Sequence, residues 1–448
     1  MNLWTTHTLR LPAILTVGLF LTLAAGAIQL HAHVAGSSPK VEWDAGLDED
    51  DDDMVGFAGH GTDSKKPKVE AYFLAESYRR GGNARLVIAD KAPRVSVQIF
   101  HAGAESDWTN ANDRMFGKPV TAIRTLGPVH GNRVLHIHLA SSWPSGIYFA
   151  ELKAPGNRVG YAPFVLSPRH YGEHAVAIVI PTQTWQAYNY RDDDGNGTPN
   201  TWYGGGGKNV RLYRPFTHRG VPHHFKNYAA PLLRWAQTTG HDADYLSDAD
   251  LNAIGSGAQL RHAYQLLIFE GHHEYVTARE YDTVTRYRDL GGNLSFLCAN
   301  NFFRRVNIHA GVMTLIGQWR DLGRHEASLI GVEYYKNDNG AHQKPWIVQP
   351  TAARVPWLLA NTELNPGDSF SKAGIEADHV TANSPRQVVV VAKIPNLYED
   401  GRDSHMTYYE TRAGAKVFAA GAFSLTSAIG HEPVTTLMTN LWERLSKD

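Results

Sequence analysis

Ala175-Val176-Ala177-Ile178-Val179-Ile180 is a run of six apolar residues with no polar position among them. A segment this short and this uniformly apolar has no wet face, which is what a strand covered on both sides of a sheet requires. Leu266-Leu267-Ile268-Phe269 and Leu294–Ala299 repeat the pattern, and Gln387–Ala392 and Lys416–Ala420 extend it. Between these runs the period changes. Pro231–Thr239 reads as a helix with Leu232, Trp235 and Ala236 inward, Pro231 near its start and Gly240 past its end. Thr277-Ala278-Arg279-Glu280 has capping-box spacing, Tyr281, Val284, Tyr287 and Leu290 share one face, and Gly291-Gly292 stops the helix. Pro433–Ser446, with Leu437, Leu441 and Leu445, reads as a closing helix. Strand–helix alternation of this kind predicts an open, mainly parallel α/β sheet over residues 169–448.

Upstream the period is two. Ala84–Ala89, Arg94–Phe100, Val134–Leu139 and Ile147–Leu152 are short runs bounded by Gly, Pro or Asn, the pattern of an antiparallel, immunoglobulin-like β-sandwich over 69–168. His136 and His138 share a strand face and could bind a metal, but a solvated face is the preferred reading. Leu11–Leu30 is apolar and uncharged, followed at a distance by six consecutive acids, Asp48–Asp53. We therefore expect a signal peptide or N-terminal anchor over 1–32 and an acidic disordered linker over 33–68. That places the protein in a secreted or periplasmic setting, or on a membrane by its anchor if the segment is retained.

Lys and Arg number 43 against 44 Asp and Glu, so nothing supplies the basic surface that nucleic acid needs. The single cysteine, Cys298, excludes an intrachain disulfide and, lying in an apolar strand, reads as an inert core thiol. The 23 histidines keep metal and acid–base chemistry open.

Ligands of open α/β sheets gather beyond the carboxyl ends of the strands. Three such ends carry polar loops here: Pro181–Tyr190, Glu270-Gly271-His272-His273-Glu274-Tyr275, and Cys298-Ala299-Asn300-Asn301. Familiar signatures fail. His273-Glu274 lacks the second zincin histidine, Thr277 standing in its place; Gly204–Lys208 follows no buried strand; no Gly-x-Ser-x-Gly occurs. Asp192, Asp194 and Asn196 match the first half of a calcium loop, but position twelve is Tyr203, and an ordinary Asp/Asn/Gly turn is the simpler account.

Thr184-Trp185-Gln186-Ala187-Tyr188-Asn189, Leu232-Leu233-Arg234-Trp235, Asp244–Leu251, Gly271-His272-His273-Glu274-Tyr275, Gly291-Gly292-Asn293 with Asn300, and Tyr409-Glu410-Thr411 with Gly414–Phe418 occur in that order. Together they resemble the C-terminal region of the large (β) subunit of N,N-dimethylformamidase and its relatives, from about Val69 onward. The resemblance implies a glutamine-amidotransferase-like open parallel sheet preceded by an antiparallel β-sandwich. It implies a mononuclear ferric ion held by Tyr188, Glu274 and a second tyrosine, which falls on Tyr203, with Tyr190 and Tyr213 as competing placements. His272 and Asn300 would donate to the developing oxyanion, and Glu410 would act as general base. The expected reaction is cleavage of a C–N bond in a small amide, although the amidase subunit is longer and works with a small subunit. Two other readings stay open: a non-catalytic extracellular module binding a glycan or peptide through Trp185, Trp202 and Tyr203, and a calcium-stabilised protein. Homo-oligomerisation is also left open.

Overall fold

The computed structural model describes residues 65–447, apart from 104, 106–108, 110, 205 and 206. The expected leader over 1–32 and nearly all of the expected linker lie outside the described residues.

The first folded part is built from two sheets over one core. Asn83–Ile88 pairs with Arg133–His138 on one side and Ala71–Phe73 on the other, all antiparallel. The second sheet centres on Gly146–Ala154, flanked antiparallel by Val95–His101 and Arg158–Ser167. Leu86, Ile88, Val97, Ile99, Leu152 and Phe164 fill the space between the sheets. His136 and His138 are exposed, the solvated face expected of them. Gly146–Ala154 departs from strict alternation, since Gly146 to Ala150 are all buried. The reason is a second contact: Ile147, Phe149 and Val165 belong to the same apolar core as Ile178, Leu232 and Trp235. The sheet thus has covers on both faces. Gly220 marks how closely the parts approach, with φ +96° and a position where a Cβ would stand 1.9 Å from the Tyr161 carbonyl oxygen.

The second part begins with β1 (Val176–Ile180) and α1 (Thr182–Ala187), followed by α2 (Ala230–Thr239) and β2 (Asp244–Ser247). Then come α3 (Asp248–Ile254), β3 (Leu266–Phe269), α4 (Ala278–Asp289) and β4 (Asn293–Phe296). β5 (Ser369–His379), β6 (Val389–Ile394), β7 (Ser404–Glu410), β8 (Lys416–Ala419) and α5 (Val434–Leu445) complete it. The helix signals act as expected. Gly240 closes α2 in the left-handed conformation, and Thr277 and Glu280 form a reciprocal capping box at the start of α4. Strands β2-β1-β3-β4-β8 lie side by side and parallel.

The expectation of a mainly parallel sheet holds only for those five strands. Beyond β8 the sheet continues antiparallel through β7, β6, Gln343–Val348, β5 and Glu333–Asn337. A separate four-stranded sheet is made by Asn209–Arg211, Tyr275–Thr277, Arg304–His309 and Val312–Gln318. The chain is mixed α/β with more strand than helix. Among the described residues no helix is long and apolar enough to cross a membrane.

Candidate functional site

Three loops leave the carboxyl ends of β1, β3 and β4 at the same edge of the sheet. The first turns at once into α1, whose C-terminal cap is Tyr188. The second needs glycine: Gly271 has φ +62° and lets the chain reverse just past β3. It is then tied to the third loop, because His273 N–H donates to Asn301 Oδ1 at 2.8 Å and Phe302 N–H to the His273 carbonyl at 2.7 Å. Arg304 N–H donates to the Glu274 carbonyl at 2.8 Å, which seats Glu274 where Tyr275–Thr277 joins the small sheet.

Three oxygen donors meet there. Tyr188 Oη donates to Glu274 Oε2 at 2.6 Å, and Tyr203 Oη lies 3.3 Å from the same oxygen. The two phenol rings stack with centroids 4.8 Å apart. Tyr203 also touches the Tyr275 hydroxyl. His272 Nε2 is 3.6 Å from Glu274 Oε2, and Arg304 Nε is 3.6 Å from Oε1. Burial, and next the charge of Glu274, push the Tyr188 phenol well above its ordinary range, so it keeps its proton and donates it. Of the competing tyrosines, Tyr190 has its ring 6.3 Å from that of Tyr203, and burial, then the charge of Glu274, push its phenol up to about 12. Tyr213 lines a different pocket, together with Glu76 and Trp185.

Glu274, Tyr188, Tyr203 and Asn300 line an open pocket of about 490 Å³. The same pocket is lined by Glu376, which sequence reasoning missed. Glu376 accepts from Asn337 Nδ2 at 2.8 Å through Oε1, while its buried Oε2 has no hydrogen-bond partner. Burial first, then Glu274, push its carboxyl well up; the amides of Asn300 and Asn337 oppose that only in part. It reaches the site because β5 is paired beside Ala422 and Phe423, just past the end of β8. Asn300 has φ +55°, a conformation asparagine tolerates better than most residues, and its N–H donates to Asp378 Oδ1 at 2.9 Å. Asp378 is pushed up to about 7 by burial. Asn300 Oδ1 and His272 Nε2, both buried, make no hydrogen bond.

Glu410, expected as general base, is not in this pocket, and that expectation is corrected. β7 runs antiparallel to β8 and pairs Glu410 with Lys416, which begins β8. It therefore ends at the amino edge of the parallel strands, opposite the site, where the exposed Glu410 accepts from Tyr408 Oη at 2.5 Å. The half calcium loop folds as a turn. Asp192 Oδ1 and Oδ2 accept from the N–H groups of Gly195, Asn196 and Gly197, and Asn196 Nδ2 donates to Asp194 Oδ2. Cys298 is buried and its thiol pushed well up by burial, as an inert core thiol should be.

Among the described residues no group of three or more His, Cys, Asp or Glu side chains is arranged to hold a metal ion. A cation at Glu274 would depend on the phenols. The donor set suits one: phenolate and carboxylate oxygens are hard ligands that select a hard cation. Tyr188 and Tyr203 aim at one carboxylate oxygen, so an ion could replace the protons that now hold the three together.

A family model described as N,N-dimethylformamidase beta subunit-like, C-terminal, matches residues 101–435. No curated protein matches. Among solved structures, similarity is found to an uncharacterised protein from Bacillus anthracis str. Ames, at 16% identity and TM-score 0.15, covering 21% of this chain and 78% of the other. A superoxide reductase (neelaredoxin) from Ignicoccus hospitalis is similar at 12% identity and TM-score 0.15, covering 23% and 80%. A cycloisomaltooligosaccharide glucanotransferase from Paenibacillus sp. is similar at 9% identity and TM-score 0.20, covering 80% and 69%. Scores this low carry no argument about fold or activity.

Proposed function

The chain belongs to the N,N-dimethylformamidase beta subunit-like, C-terminal family, and we propose that it is an exported hydrolase cleaving a C–N bond of a small amide in the pocket around Glu274. The observation that carries this reading is the meeting of the Tyr188, Tyr203 and Glu274 oxygens in a pocket also lined by the desolvated carboxyl of Glu376. With it goes the proposal that the five parallel strands form a glutamine-amidotransferase-like sheet.

Tyr188, Tyr203 and Glu274 would hold a mononuclear ferric ion. When bound, such an ion supplies Lewis acidity, polarising a carbonyl and acidifying a water. The remaining work falls to the chain. Burial and Glu274 keep Glu376 protonated on its own; with the positive charge of a cation held at Glu274 it would ionise, and its buried, unpartnered Oε2 would then take a proton from the attacking water. As the water oxygen bonds to the carbonyl carbon and the C–N bond breaks, Glu376 returns that proton to the leaving nitrogen. Asn337 fixes the carboxyl by its 2.8 Å hydrogen bond, leaving Oε2 free to face the pocket. His272 Nε2, buried without a partner, donates to the carbonyl oxygen as charge grows on it. Asn300 and Asn337 favour the ionised form of Glu376 against the burial that opposes it.

Elemental analysis and visible absorption test the reading. Iron-replete protein should carry about one iron per chain and a phenolate charge-transfer colour. Glu274→Ala and Tyr188→Phe should lose both, and a panel of small amides should be hydrolysed by the wild type alone. Colourless, iron-free wild-type protein would overturn the proposal.

A further inference from the structure

Tyr188 also lines a second and smaller pocket, which Glu376 does not line. Its walls are rings: Trp185, Tyr188, His223, His224, Tyr228 and His272. Tyr188 and His223 stack at 5.7 Å with planes 10° apart, His224 packs 5.2 Å from Tyr228, and His272 meets Tyr188 edge-on at 5.2 Å. Among these aromatic surfaces the pocket is lined by a carboxylate, Glu270, that is 1% exposed and whose Oε2 has no hydrogen-bond partner. The proposed catalytic steps do not use it.

A buried carboxyl ordinarily has a cation or several N–H donors beside it. Glu270 has neither on Oε2. Burial alone displaces its affinity for protons, up to about 8, with no fixed charge opposing. His224 brings no positive charge, because burial, and then His272, lower it to about 3. Among the described residues the arrangement is one buried carboxyl among π-faces with no counter-charge beside it, a group that holds its proton until a cation seated against it makes ionisation favourable. Cations of low hydration bind such boxes, since ring faces attract positive charge and the carboxylate supplies the ion pair.

We propose that this pocket binds a small primary or secondary alkylammonium ion, with Glu270 as its counter-charge and the rings of Trp185, Tyr188 and Tyr228 as its walls. Sodium is the wrong occupant, because it demands several oxygen ligands and the pocket offers one carboxylate. An alkylammonium has N–H groups for Glu270 and methyl groups for the rings. Which ammonium binds there rests on the proposed hydrolysis, since C–N cleavage releases an amine that is protonated at neutral pH; the binding itself does not.

Methylammonium chloride, titrated calorimetrically into the full chain with equimolar sodium chloride as control, tests this. Saturable binding is expected in the wild type. In Glu270→Gln it should weaken about tenfold or more. The iron content of that variant should stay unchanged. Trp185→Phe, which keeps an aromatic wall, should retain binding and so show that Glu270→Gln is not failing through the fold. No saturable heat in the wild type, equal binding in Glu270→Gln, or equal Glu270-dependent binding of potassium would each overturn the proposal. Absent amide hydrolysis with methylammonium binding intact would sink the catalytic reading alone; absent binding in an active hydrolase would sink this one alone.

Discussion

Glu270→Gln should make the protein more stable, and more so as the pH rises. The folded chain holds the Glu270 proton up to about pH 8, against an ordinary value of 4.5, and burial is the cause. The sign follows from proton counting. Between those values the unfolded chain has released the proton and the folded chain has not, so stability falls as pH climbs. Below about 4.5 both forms are protonated, and above about 8 both are ionised, so the dependence is flat at each end. At about 1.4 kcal/mol per pH unit, the wild type loses up to about 5 kcal/mol across the interval, an upper bound because water entering the pocket would relieve part of it. Glutamine has nearly the same shape and no proton to lose. Urea unfolding of both proteins, repeated from about pH 5 to about pH 9, isolates the group. Glu76 and Asp378, both also pushed up to about 7, tilt the wild-type curve too, but they are present in both proteins and cancel in the difference. The variant-minus-wild-type stability should rise by several kcal/mol and then level off. A difference that stays constant across the range would refute the claim that Glu270 is buried without a counter-charge. Methylammonium supplies a further arm: at the alkaline end it should stabilise the wild type with the logarithm of its concentration and leave the variant unmoved.

Glu376→Gln should lower amide turnover by about a hundredfold or more while iron content holds, whereas Glu410→Gln should leave both unchanged; steady-state rates beside metal analysis decide which carboxyl handles the proton. Equal loss in the two variants would contradict the placement of Glu410 at the far edge of the sheet. Gly220→Ala forces a Cβ to 1.9 Å from the Tyr161 carbonyl at φ +96°, which no rotation of a side chain relieves. We expect about 3 kcal/mol or more of lost stability in urea unfolding. A loss under about 1 kcal/mol would mean the two folded parts yield more easily than their shared core implies.

Much of the fold could be read from the chain because its signals are local. Ala175–Ile180 and Leu266–Phe269 have no polar residue to place, so burial on both faces was the available reading, and β1 and β3 are where those runs stand. Thr277 with Glu280, and Gly240 after α2, mark their helix ends by chemistry confined to one turn. The antiparallel half of the sheet lacked such signals. β5 contains Lys372, Gly374, Glu376 and Asp378, so its sequence resembles neither a clean apolar run nor strict alternation. Its strand character comes from neighbours, Gln343–Val348 on one edge and Glu333–Asn337 on the other, both remote in sequence.

The same distinction separates the site residues that were legible from the one that was not. His272, Glu274 and Asn300 sit within five residues of a parallel strand's carboxyl end and Tyr188 one short helix beyond another, so the topology that placed the strands also placed them. Glu376 belongs to no such loop. It is buried and acidic inside an antiparallel strand, a combination that sequence patterning counts against a strand and that physical chemistry counts against a structural role, since the desolvated carboxyl is disfavoured without a partner. Glu270 carries the same contradiction one residue past β3. In both cases the fold tolerates an acid that packing alone would replace by glutamine or leucine. Buried acids without a partner persist most readily where a bound group compensates them, and Glu376 and Glu270 each line a pocket that Tyr188 also lines. On the proposed hydrolysis, two unfavourable carboxyls in pockets that share one phenol would answer to the two halves of one substrate rather than to two independent accidents of packing.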